Sequence, residues 1–197
     1  MPHLAKIIFL WLCCWMSPAL MAAESRGMAI FAGGCFWCTE ADFDKIPGVL
    51  VTTSGYIGGD LRNPTYEQVS RGGTGHIEAV QVEFDADITD FATLLEAFWR
   101  TIDPLDAGGQ FCDRGAHYRS AVFYRDDEQR RLAVASKQAL EVYGKLAGPV
   151  VTEILAATTF WPAEGYHQDY YLKNPIRYRY YRSRCGRDER LRQVWGM

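Results

Sequence analysis

The chain has 197 residues, room for one domain of ordinary size and little more. With 48% hydrophobic, 14% aromatic and 23% charged residues it can fill a core and stay in solution, which excludes disorder and collagen-like order. The net charge of −3, from 21 Lys and Arg against 24 Asp and Glu, excludes the clustered basic field that nucleic acid requires.

The chain opens on MPHLAKIIFLWLCCWMSPALMAAESRG: His3 and Lys6 in the head, an apolar run from Ile7 to Met16, then small residues at Ala19, Ala22 and Ala23. This is the three-part pattern of a secretory signal peptide, expected over 1–23. The apolar run falls short of the roughly 20 residues a membrane-spanning helix needs. Cleavage removes Cys13 and Cys14 and leaves 24–197 as a single exported domain, periplasmic or secreted, with no stable membrane insertion. Of the six cysteines, Cys35, Cys38, Cys112 and Cys185 remain, in a compartment where disulfides persist.

Next, 28–33 (MAIFAG) reads as a buried strand that closes on Gly33-Gly34, and 35–45 as a helix stopped by Ile46-Pro47-Gly48. β-branched and aromatic residues predict a second strand over 49–59, followed by a polar loop with a helical turn at 66–70. Period-2 alternation predicts a strand over 76–85, with Glu78 on the face opposite Ile77. A helix over 88–103, a strand over 119–124 and an amphipathic helix over 126–143 complete a β-α-β-β-α-β order. That order predicts an α+β fold: a two-layer ferredoxin-like sandwich with a split β-α-β core, appended helices and a long C-terminal wrap. The irregular, glycine-rich 104–117 segment is a candidate functional loop. The arginine-rich end, 175–197, reads as a solvated wrap with its tyrosines packed on the body.

The chemistry concentrates in GGCFWCTEADF. A cysteine after a strand and a Gly-Gly turn enters the first turn of the next helix, where free N–H groups and the helix dipole favour a thiolate. Cys35 is thus the candidate nucleophile, with Cys38 near the same helix face. One C-x-x-C without a second pair is at best half a zinc site, so no metal is expected. A thioredoxin-like disulfide exchanger and an exported module that captures methionine-rich segments are the alternatives. His76 and His117 are not assigned as bases, because the helix start supplies the activation.

GGCFWCTEADFDKIPGV, TTSGYIGG, NPTYEQV, GTGHIEAVQVEFD, CDRGAHYRSAVFY and AEGYHQDYYLKNP, in this order over about 28–176, resemble the A-type peptide methionine sulfoxide reductases. The resemblance implies thiol-dependent reduction of the S-epimer of methionine sulfoxide, free or in oxidised proteins and peptides. It implies no bound cofactor, and thioredoxin or a thioredoxin-like dithiol as reductant. By it Cys35 matches the nucleophile that becomes a sulfenic acid, and Glu78 the acid that protonates the sulfoxide oxygen. Tyr66 and Tyr118 match the phenols that bind that oxygen, Phe36 and Trp37 the wall for the methyl group, and Asp113 the carboxylate that holds the substrate main chain.

The pattern departs from the family at the recycling cysteine, which in many members closely follows the NP of the last motif. Here IRYRYY follows Asn174-Pro175, and the candidates to attack the Cys35 sulfenic acid are Cys185, Cys112 and Cys38, in that order of expectation.

Overall fold

Alternation along β1 (Arg26–Gly33) sets the architecture: Ala29 and Phe31 face one side of the sheet, Ile30 and Ala32 the other, and all four are buried. The computed structural model describes residues 25–143 and 146–196, so the leader assigned to 1–23 lies outside the described residues. β1 leads into α1 (Phe36–Phe43), β2 (Val49–Ile57), α2 (Tyr66–Ser70), β3 (Ile77–Asp85) and α3 (Phe91–Arg100). A small antiparallel pair, β4 (Gly109–Gln110) and β5 (Asp113–Arg114), precedes a 3-10 turn at Ala116–Tyr118 and then β6 (Ser120–Tyr124). α4 (Asp127–Tyr143), β7 (Glu153–Ala156), β8 (Trp161–Pro162), α5 (Tyr170–Lys173), α6 (Pro175–Arg184) and α7 (Arg187–Trp195) complete the chain.

The main sheet runs β7-β6-β1-β3-β2-β8. Its central four strands, β6-β1-β3-β2, pair antiparallel throughout, the ferredoxin-like arrangement expected from the β-α-β-β-α-β order. β7 adds in parallel to β6 at one edge and β8 in antiparallel to β2 at the other. Neither addition is legible in the sequence, since four residues and two residues are too short for a periodic signal.

Helices pack on one sheet face. Phe31 stacks against Phe43 at 4.8 Å and Phe98 at 5.0 Å, which ties β1 to α1 and α3. Each such fully buried ring contributes about 1.5–3 kcal/mol of transfer free energy. The other face gathers Ile30, Ile57, Ile77, Ala121 and Phe123 beneath Leu155, Ala157 and Phe160.

The tail differs from expectation. It is helical over α6 and α7, with a left-handed Gly186 (φ 69°) between them, and it is anchored by charge rather than by an apolar stripe. Arg182 binds both Asp42 oxygens at 2.9 and 3.0 Å. Arg187, 1% exposed, donates to the carbonyls of Gly33 at 3.1 Å and Thr101 at 2.8 Å. Among the described residues no helix is long and apolar enough to cross a membrane.

Candidate active site

The Gly33-Gly34 turn lets two segments meet. Gly34 sits at φ +84°, and a Cβ there would lie 2.5 Å from Cβ of Gln110, so only glycine admits the 109–118 loop beside the start of α1. Gln110 locks that loop: its Oε1 accepts from the Asp103 amide and its Nε2 donates to the Asp103 carbonyl, both at 2.8 Å. Cys35 is the N-cap of α1 and makes no side-chain capping bond.

Burial opposes the Cys35 thiolate that the helix start would favour. The first amide of α1, Phe36 N–H, donates to Glu78 Oε2 at 3.0 Å, so the favourable end of the helix is spent on the carboxyl. Burial, then the hydrogen bond and charge of Cys38, then Glu78 and Asp113, push the Cys35 thiol well above its usual range. The hydrogen bond with Cys35 brings Cys38 down to about 7 against its own burial, helped by Arg187 and Arg182. The two sulfurs therefore share their protons, and the pair releases its first one near neutrality.

Glu78 comes from β3, a central strand. It is 1% exposed, so its carboxyl lies in the protein interior and not on a solvated sheet face. Burial lifts its carboxyl to about 8, opposed by the Phe36 amide. At pH 7 it is a protonated acid, with one oxygen fixed by an N–H and the other available to carry the proton.

Aromatic rings enclose these groups. Phe36 lies 6.5 Å from Tyr66 and 4.9 Å from His167, and Tyr118 donates a hydrogen bond to Tyr66. Burial raises both phenols above their usual range, so both remain donors. Trp37 donates from Nε1 to His167 Nδ1 at 3.0 Å and stacks on Tyr170 at 3.7 Å with a 6° interplanar angle. Glu164 accepts from the Tyr66 amide at 2.8 Å and from the Tyr56 hydroxyl at 3.0 Å, which holds Tyr66 in place. His76 bonds the Gly59 amide and the Leu61 carbonyl, a structural role.

The structure thus brings Cys35, Cys38, Glu78, Phe36, Trp37, Tyr66, Tyr118 and Asp113 to one site. It places the remaining cysteines differently from expectation. Cys112 and Cys185 are joined to each other in a disulfide, and Cys185 sits at the end of a helix rather than on a flexible strand of tail. Asp113, also near that bridge, accepts a hydrogen bond from the Tyr181 hydroxyl at 2.5 Å, and the same hydroxyl lies within hydrogen-bond reach of Cys35. Cys112, Asp113 and Cys185 gather their ligand atoms within 4.8 Å, but sulfurs bonded to each other are not thiolate ligands for a metal. The sequence reading missed Tyr181, Glu164, His167, Arg182 and Arg187. Glu164 and His167 stand in the AEGYHQ motif, which was the available signal for those two.

The family model for peptide methionine sulfoxide reductase matches residues 27–197. The chain is 53% identical over 174 residues to the peptide methionine sulfoxide reductase MsrA of Bacillus licheniformis, covering 88% of this chain and 96% of that one. Methionine sulfoxide reductase A of Corynebacterium diphtheriae superposes with a TM-score of 0.68 at 31% identity, over 77% of this chain and 76% of that one. Reduced Mxr1 of Saccharomyces cerevisiae gives 0.69 at 29% identity over 76% and 86%, and Mxr1 has also been solved in complex with Trx2.

Proposed function

Given that this chain belongs to the A-type peptide methionine sulfoxide reductases and is a peptide-methionine (S)-S-oxide reductase, we propose that Cys35 is its nucleophile, Glu78 its proton donor and Cys38 its recycling thiol. One observation carries the reading: a buried Glu78 bonded to the amide that directly follows Cys35, where burial favours its acid form. Proton donor and nucleophile are held within one residue of each other's anchoring atoms.

A sulfoxide oxygen leaves only once protonated. Glu78 supplies that proton while Tyr66 and Tyr118 stabilise the oxygen, and the substrate methyl packs on Phe36 and Trp37. Cys35 sulfur attacks the sulfoxide sulfur; as the protonated oxygen passes to Cys35 the transient sulfur–sulfur bond breaks and its electron pair stays on the substrate, so one thiol and one sulfoxide give one Cys35 sulfenic acid and one thioether, and the thiol proton restores the Glu78 acid. Cys38 then attacks the Cys35 sulfur, which releases water and leaves a Cys35–Cys38 disulfide. A dithiol reduces that disulfide to two thiols and is itself oxidised. A thioredoxin-like protein is the reductant by analogy with the Mxr1–Trx2 complex.

Cys185 and Cys112 stood ahead of Cys38 on sequence. Because their sulfurs are spent on each other, neither holds a thiol for the attack, whereas Cys38 shares a hydrogen bond with Cys35. The substrates are free methionine S-sulfoxide and oxidised exported proteins. The Cys112–Cys185 disulfide supports the exported reading of the leader, since such bonds persist in oxidising compartments.

The test is one turnover without reductant on a methionine S-sulfoxide peptide, followed by peptide mapping. The expected products are one equivalent of methionine and a Cys35–Cys38 disulfide, and Cys35→Ser yields neither. Methionine formation by Cys35→Ser, or a Cys35–Cys185 bond in the unsubstituted protein, would overturn the assignment.

A further inference from the structure

Cys38 lies in a small cluster with Ala41, Tyr170 and Tyr178, below the tail helices. One turn along α1, on the same helix face, Asp42 collects three cations: Lys45 at 3.4 Å, Arg182 at 2.9 Å and Arg187 at 3.9 Å. Arg182 also donates to the Tyr178 hydroxyl at 3.1 Å and pairs with Asp188 at 2.8 Å.

Two little-exposed cations, Arg182 and Arg187, share the buried carboxylate of Asp42, while Lys45 and Asp188 are more than half exposed and solvated. Arg187 is the odd member, fully buried with its Nε lacking any hydrogen-bond partner. Two backbone carbonyls and the face of Phe111, 4.5 Å away, satisfy the rest of its guanidinium. Burying an arginine so incompletely paired costs several kcal/mol unless an anion offsets it. The group placed to become that anion is the Cys38 sulfur.

We propose that Arg182 and Arg187, both supplied by the C-terminal helices, are positioning residues for the recycling half of the reaction: they hold Cys38 as the thiolate that attacks the Cys35 sulfenic acid. This rests on the reading of Cys38 as the recycling thiol. The step converts Cys38–S⁻, Cys35–S–OH and one proton into a disulfide and water, so no outside oxidant or reductant enters. Arg182 and Arg187 make no hydrogen bond to Cys35, and of the two sulfurs it is Cys38 that they draw directly toward its thiolate. The groups that face Cys38 are Cys35 and Asp42 from its own helix, Tyr178 and Arg182 from α6, Arg187 from α7 and Glu78 from β3.

The experiment follows both halves in the full chain during one turnover without reductant: methionine release for the first, and loss of dimedone-reactive sulfenic acid for the second, from pH 5 to 9. For Arg182→Gln and Arg187→Met the expected result is methionine release that slows less than disulfide formation does. Disulfide formation should slow roughly fivefold at pH 7 and about tenfold at pH 5, with its pH midpoint about one unit higher, because well below the midpoint each unit removes tenfold of the thiolate. Arg182→Lys should recover part of the rate. If Arg187→Met does not fold, Arg182→Gln against Arg182→Lys decides alone. Unchanged disulfide formation in the folded arginine variants would overturn the proposal. Cys38→Ser separates the two ideas: if it too resolves the sulfenic acid normally, the recycling assignment itself is wrong.

Discussion

The Tyr181 hydroxyl, carried by α6, donates to Asp113 Oδ2 at 2.5 Å, and Cys185, four residues further on, is bonded to Cys112, the neighbour of Asp113. The tail is therefore seated on the carboxylate proposed to hold the substrate main chain. A bound peptide must displace this hydroxyl. Tyr181→Phe is expected to lower KM for a methionine sulfoxide peptide about two- to tenfold, the range of one neutral or charge-assisted hydrogen bond, with kcat little changed. Asp113→Asn should raise KM. Steady-state kinetics on both variants check the opposite signs; a raised KM in Tyr181→Phe would mean that the hydroxyl assists binding instead.

The bridge closes a long loop, 73 residues in sequence separation. Replacing both of its cysteines, as Cys112→Ser with Cys185→Ser, is expected to cost about 2–4 kcal/mol of stability. Cys35, only 6% exposed, should then alkylate faster. Multiple turnover with a dithiol should continue, because Cys35 and Cys38 remain. Urea denaturation, iodoacetamide kinetics and steady-state turnover give the three readouts, and loss of recycling in this variant would return the role to Cys185 or Cys112.

Glu78 couples activity to stability through one proton. Its folded carboxyl, at about 8, stands above its usual value of 4.5, so the folded protein binds this proton more tightly than the unfolded chain. The contribution to stability is complete below about 4.5 and is lost as the pH rises toward 8. The first half-reaction, which needs the acid form, should fall over the upper part of the same window. Glu78→Gln keeps a neutral side chain, so its stability should vary less between pH 6 and 9 while methionine formation drops by about 10²–10⁴-fold. Thermal unfolding and single-turnover rates across pH check both.

Glu164 reaches Tyr66 only through the backbone amide and steadies Tyr56 through its hydroxyl. Glu164→Ala frees both. Each bond to a charged acceptor is worth about 1.5–3 kcal/mol, so both Tm and kcat should fall, with the loss of kcat near tenfold or more. Tyr66→Phe, which retains the amide contact, should lower kcat without the loss of Tm.

The four-stranded core and the place of Cys35 at the start of α1 were legible because period-2 alternation and the Gly-Gly turn are local signals. The same is true of Glu78: its position opposite Ile77 follows from strand geometry alone. What opposes a Cys35 thiolate was not legible, because the first amide of α1 goes to Glu78, a residue 42 positions away that local sequence cannot place. Cys112 and Cys185 could not be paired for a similar reason. Their meeting depends on how α6 lies against the 109–118 loop, and α6 is fixed by Arg182 and Arg187 rather than by any apolar periodicity. Buried arginines on long-range carbonyls leave no pattern to read.

The Arg187 guanidinium meets the Gly33 carbonyl across 154 positions, so the first strand and the last helix complete each other. A ribosome delivers them at opposite ends of synthesis. Until the C-terminal helices pack, Cys112 lacks Cys185, and the four cysteines of the described residues admit three complete pairings. The neighbouring pair is reached soonest, because short loops close fastest. In an oxidising compartment a Cys35–Cys38 bond would therefore form before the Cys112–Cys185 bridge closes, and such a molecule would need a dithiol before its first turnover.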